Sequence, residues 1–113
     1  GDGSFMMNVQ EIETAVRVGA RMVILVWEDN AYGLIKWKMD LHAGEHEYVD
    51  FKNPDVVKLA QSFSARGSVV KNPDDLYNML SEALAQKSGV DVIACPVDYR
   101  ENMKLIEKLG DIE

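Results

Sequence analysis

The sequence is poor in cysteine, proline and positive charge, and it has no long apolar run. One cysteine cannot close an internal disulfide. Cys95 ends the apolar stretch Val92-Ile93-Ala94-Cys95, which suits a buried structural thiol in a reducing, cytoplasmic setting. Twelve basic against nineteen acidic side chains give a net charge of −7. That balance argues against a nucleic-acid surface, which needs a basic patch, and against attraction to anionic lipid. The longest apolar stretch, Met22 to Trp27, is far too short to span a bilayer, and no signal peptide is visible. No internal repeat, low-complexity tract or interdomain linker interrupts the chain. It opens on Gly1-Asp2-Gly3 with no initiator methionine and no strand ahead of it, which reads as part of a longer protein.

At 113 residues, 47% hydrophobic and 27% charged, the chain can bury the core of one small domain. Phe5, Val9, Ile12 and Val16 fall on one helical stripe. Asn8 and Glu11 have capping-box spacing, so this helix is expected to start at Ser4 or at Asn8, and Gly19 closes it. Met22 to Trp27 is apolar on both faces and β-branched, which predicts a central parallel strand. A short helix over 33–39 and a surface loop over 41–51 follow. Asn53-Pro54 predicts a helix start with Pro at the first position, its inner face carrying Val56, Val57, Leu59, Ala60 and Phe63. A short strand over 67–71, a helix opening at Asn72-Pro73, a buried strand over 90–97 and a last helix over 99–109 complete the pattern, with Asp98 as its expected N-cap. Strands alternating with helices imply an α/β layered fold with a mainly parallel sheet flanked by helices.

The chemistry concentrates in Gly1-Asp2-Gly3-Ser4 and in Asp29-Asn30, which follows the strand. A turn, a helix and a strand between them can return the chain to the same sheet edge. Two carboxylates would then meet beside a glycine-rich, helix-opening turn, a combination that suits Mg²⁺ and a phosphate group. Taken singly, each half is also an ordinary turn. Glu28 should point away from Asp29, because strand residues alternate faces. His42 and His46 stand four apart, but Gly44 between them argues against a helical metal pair.

Gly1-Asp2-Gly3-Ser4-Phe5 through Asp29-Asn30 resembles the motif of thiamin-diphosphate-dependent enzymes. Together with residues 7–19 (MNVQEIETAVRVG) and 95–102 (CPVDYREN), the chain is most similar to the C-terminal cofactor domain of acetolactate synthases, nearly end to end. The resemblance implies a thiamin-diphosphate-binding fold lacking its first strand or strands, with residues 1–113 as a partial C-terminal domain. It implies Mg²⁺ held by Asp2, Asp29 and the Ala31 carbonyl, and thiamin diphosphate contacted by Gly3, Ser4, Asn30, Tyr32 and Ile35. Asp29 stands where the family usually has Asn; it remains an oxygen donor. Core packing is an equal reading for Leu34 and Ile35. Lys38 matches neither pattern that the family uses for acceptor choice.

The implied parent activity takes pyruvate, decarboxylates it and joins the remaining fragment to a second pyruvate as 2-acetolactate, in branched-chain amino-acid or acetoin formation. The family's activating glutamate comes from a different domain, and nothing here matches it, so no catalytic residue is assigned and this chain alone is expected to be inactive. Another thiamin-diphosphate-dependent keto-acid decarboxylase or carboligase is an alternative, as is a non-catalytic Mg²⁺-binding α/β module. The doubly apolar strand over 22–27, stripped of a neighbour, predicts a homo-oligomer.

Overall fold

A computed structural model describes residues 1–102, 104 and 108. Its elements run α1 (Asp2–Met7), α2 (Glu11–Arg17), β1 (Met22–Glu28), α3 (Gly33–Ala43), α4 (Val56–Ser62), β2 (Arg66–Val69), α5 (Pro73–Ala85) and β3 (Val90–Pro96). The three strands form one parallel sheet in the order β1-β3-β2. The α/β layered arrangement with a parallel sheet is therefore present. Of the last helix expected over 99–109, residues 99–101 are not helical and Asn102, Lys104 and Lys108 are; the rest lies outside the described residues. No helix among them is long and apolar enough to cross a membrane.

The sheet is covered on both faces. Val92 and Ala94 of β3 point to the side of Ile12, Val26, Val56 and Ala60. Ile93 and Cys95, alternating with them, face Ala83 of α5, with Leu25, Leu76 and Met79 beside it. Ile93, Val92 and Val90 are almost completely buried, so truncating Ile93 to Ala costs about 2–5 kcal/mol.

Four expectations need correction. The first helix begins at Asp2 and breaks over 8–10, where the Asn8 N–H reaches back to the Phe5 carbonyl at 3.2 Å and the Asn8 side chain caps nothing. The apolar stripe survives the break: Ile12 is buried, and Phe5, Val9 and Val16 pack on it. Gly19 (φ 68°) ends α2 in a Schellman arrangement, the Ala20 N–H bonding the Ala15 carbonyl at 2.9 Å. Second, β1 is an edge strand among the described residues, and the central strand is β3, which is buried through Cys95. Hydrophobicity on both faces reports covering layers, not lateral neighbours. Third, α3 runs on to Ala43 before Gly44 (φ 77°) terminates it, so its last turn takes residues expected in the loop. Fourth, α4 starts after Asp55, whose side chain accepts from the Lys58 N–H at 3.0 Å; Asn53-Pro54 lies before the cap. The freed Asn53 serves another purpose.

Candidate functional site

Parallel pairing aligns Glu28 with Pro96, so the carboxyl ends of β1 and β3 share one edge. A cavity of about 470 Å³ opens there, between the start of α1, the turn after β1 and the start of α3. This is the position at which open α/β sheets bind ligands. Asp2, Gly3, Ser4, Asp29, Ala31, Tyr32 and Ile35 all line it.

Asp2 is 1% exposed. Its Oδ1 accepts from the Gly3 N–H at 2.9 Å. Its Oδ2 accepts from the Asn30 N–H at 2.8 Å and from Asn53 Nδ2 at 2.6 Å. Among the described residues it makes no ion pair. Burying a carboxylate without a cation is costly, and three donors offset only part of that cost.

Asp29 stands against it. Burial first, then the charge of Asp2, pushes the Asp29 carboxyl above its usual range, and a side-chain hydrogen bond with Asp2 also favours its protonated form. Glu28 is raised too, by burial and then by the charges of Asp2 and Asp55. Alternation does not remove Glu28 from the field of Asp2. The edge is thus an acidic pocket in which burial and the charge of Asp2 disfavour charge on Asp29 and Glu28.

The turn after β1 is shaped for this meeting. Asn30 takes a left-handed conformation (φ 57°), which Asn tolerates better than most residues. An isolated antiparallel bridge pairs Ala31 with Asp50. Its bonds run from the Tyr32 N–H to the Val49 carbonyl and from the Phe51 N–H to the Asn30 carbonyl, both 2.9 Å, so neither uses the buried Ala31's own carbonyl. Gly33 opens α3 under Asp29: a Cβ there would stand 2.3 Å from Asp29 Oδ2. Over Gly3 lies the Tyr32 ring, 2.7 Å from where a Cβ would be, propped by Phe51 at a centroid distance of 5.0 Å. Gly3 therefore makes room for a tyrosine.

A hard divalent cation fits these residues. Asp2, Asp29 and the Ala31 carbonyl offer oxygen only, and positive charge would relieve the repulsion that raises Asp29. No group of three His, Cys, Asp or Glu side chains suited to a metal occurs among the described residues, so the remaining ligands would be ligand or water oxygens. The wall beyond is apolar and open. Leu34 is 66% and Ile35 53% exposed, so neither packs in the core, and Trp37 joins them at the cavity.

Some site residues were not singled out from the sequence. Asn53 was read as part of a helix start, and nothing local marks it as a partner of Asp2. Tyr99 also lines the cavity, its hydroxyl pKa raised by burial and then by the charges of Asp29 and Asp2. Asp98 accepts from the Arg100 N–H at 3.0 Å in a local turn; residues 99–101 are not helical, so the expected helix cap is not formed, and Asp98 lies outside the cavity lining. His46 pairs with Asp40 at 2.6 Å and Asp50 at 3.4 Å, away from His42. Cys95 is buried, and burial, then the charge of Glu28, raises its thiol pKa, which leaves it inert.

Comparison with known proteins agrees with this edge. A family model described as "Thiamine pyrophosphate enzyme, C-terminal TPP binding domain" matches residues 1–95. The chain is 39% identical to an acetolactate synthase of Bacillus subtilis (strain 168) over 93% of its own length and 18% of that protein's. It is 34% identical to a catabolic acetolactate synthase of Raoultella terrigena, over 96% of this chain and 19% of that one. Among solved structures, benzoylformate decarboxylase from Polynucleobacter necessarius superposes with a TM-score of 0.79 at 30% identity, over 86% of this chain and 18% of that one. The chain thus spans about a fifth of the length of these relatives. On the match across residues 1–95, it belongs to the thiamine pyrophosphate enzyme family, in the C-terminal TPP-binding domain.

Proposed function

We propose that this chain is the cofactor-anchoring part of an acetolactate synthase, binding thiamin diphosphate through Mg²⁺. The observation that carries this reading is the meeting of Asp2 and Asp29 at the carboxyl edge of the sheet, where burial and then the charge of Asp2 disfavour charge on Asp29. An anionic diphosphate has no reason to enter so acidic a pocket unless a cation bridges the two. Asp2, Asp29 and the Ala31 carbonyl would hold that cation, and Gly3, Ser4 and Asn30 would border the diphosphate. Tyr32 and Ile35 would border the far end of the cofactor, on an apolar wall that this chain leaves open to solvent.

When bound, the cofactor supplies the chemistry that removes carbon dioxide from a 2-keto acid and joins what remains to a second carbonyl. The chain's own residues would bind and orient the cofactor's diphosphate end. The choice of pyruvate for both roles, and of acetolactate synthase among enzymes of this family, is supported by the names of the relatives matched over nearly the whole chain. A homo-oligomer is part of the same proposal, because β1 is an edge strand among the described residues and the exposed Leu34 and Ile35 line the cavity.

Isothermal titration tests the binding step. Thiamin diphosphate should bind in Mg²⁺ and lose most of its affinity in chelator. Thiamin without its diphosphate should not bind in either. Equal affinity for both ligands, or affinity unaffected by Mg²⁺, contradicts the reading.

A further inference from the structure

The Asn53 side chain touches both Asp2 and the turn carrying Asp29. Its Nδ2 donates to Asp2 Oδ2 at 2.6 Å and to Asn30 Oδ1 at 3.2 Å. The Asn53 backbone N–H also reaches Asn30 Oδ1, at 3.5 Å. Both side-chain neighbours are acceptors, which fixes the amide: turned over, it would set oxygen against oxygen. In this orientation Asn53 Oδ1 is buried and has no donor among the described residues. A buried carbonyl is normally satisfied, so its donor-first orientation is held by Asp2 and Asn30. Asn53 sits just before the Asp55 cap of α4, in a segment tied to the turn by the Phe51–Asn30 bond.

We propose that Asn53 is a positioning residue of the cation site, locking the Asp2 carboxylate and the Asn30 turn into the geometry in which Asp2 and Asp29 face one cation. This rests on the proposed function above. Asn53 acts through Asp2. Its hydrogen bond shares Oδ2 of the carboxylate with the Asn30 N–H and stops the side chain from rotating. Asn30 is gripped by the same amide, so the two halves of the site keep one spacing. Ligand-orienting partners of this kind commonly change metal affinity by about 10–100-fold when removed.

The test uses this chain with Mn²⁺ as the probe, free Mn²⁺ being read by electron paramagnetic resonance with thiamin diphosphate present, alongside metal-free thermal unfolding. Asn53→Ala should weaken Mn²⁺ binding by about tenfold or more while the metal-free unfolding midpoint changes little. Asn53→Gln, which keeps the amide donors on a longer arm, should recover part of the loss. Unchanged Mn²⁺ affinity in Asn53→Ala overturns the proposal and leaves the proposed function standing. A loss matched by an equal fall in metal-free stability, with no recovery in Asn53→Gln, also overturns it, because Asn53 would then be merely structural. Failure of the unaltered chain to bind Mn²⁺ at all overturns the proposed function and this inference with it.

Discussion

The backbone N–H of Asn30 donates to Asp2 Oδ2 at 2.8 Å, joining the first turn of the chain to the end of β1. This bond holds the Asp2 carboxylate beside that of Asp29, and most consequences of the site follow from it.

The raised Asp29 pKa has a definite sign. A carboxyl whose folded pKa exceeds its usual 3.8 stabilises the fold below that value and loses this contribution as pH rises through the folded pKa. Without metal, Asp29 ionised at pH 7 is therefore a burden. Asp29→Asn should gain on the order of 0.5 kcal/mol in chelator at pH 7, small because the side chain is partly solvated, and nothing at pH 3. Urea unfolding at the two pH values measures the difference. A loss of stability at pH 7 contradicts it.

Cation binding should weaken on acidification for the same reason, since protons compete for Asp29. The fall should begin above the ordinary carboxylate value of 3.8, because burial and then Asp2 raise the carboxyl. Mn²⁺ titrations between pH 4 and 8 check this. An affinity flat down to pH 4 would show that Asp29 is not a ligand.

Gly33 separates stability from binding. A Cβ there would stand 2.3 Å from Asp29 Oδ2, so Gly33→Ala must move the carboxylate. Gly33 has no positive φ and opens α3, where Ala is a better helix former. The variant should keep its unfolding midpoint within a few degrees and lose about tenfold or more in Mn²⁺ affinity. Intact Mn²⁺ binding would show that Asp29 is dispensable.

At the opposite end of the sheet, Arg66 grips the buried Asp91 with two bonds of 2.7 Å, and Arg21 adds a third contact at 2.9 Å. Arg66, first, holds the Asp91 carboxyl below its usual range. A lowered pKa stabilises above the ordinary carboxylate value of 3.8 and loses that contribution as pH falls through the folded pKa, opposite in sign to Asp29. Asp91→Ala should cost about 2 kcal/mol at pH 7, less than a fully buried pair because both arginines reach solvent. Denaturant unfolding at pH 7 reads this; a change below about 0.5 kcal/mol would place the pair among ordinary surface bridges.

The layered fold and most elements were legible because periodicity reports burial directly: Ile12, Val26 and Val92 are buried as their patterns imply. Pairing order was not, since β1 and β3 are both apolar runs and only tertiary structure makes β3 central. The break at Asn8 was hidden because the apolar stripe continues across it. Asp2 and Asp29 were marked by glycine and acid spacing, and Ala31 only by the family resemblance. Asn53 was not, because an Asn-Pro-Asp run signals a helix start and its bond to Asp2 spans the whole of β1 and α3.

The most direct measurement is anomalous scattering from a crystal of the chain soaked with Mn²⁺ and thiamin diphosphate. The expected result is a single strong peak within about 2.1–2.3 Å of oxygens from Asp2, Asp29 and the Ala31 carbonyl, with diphosphate oxygens completing the shell. Diphosphate density in the cavity with no metal between those three groups, or a peak bound elsewhere, would contradict a cation-anchored cofactor site.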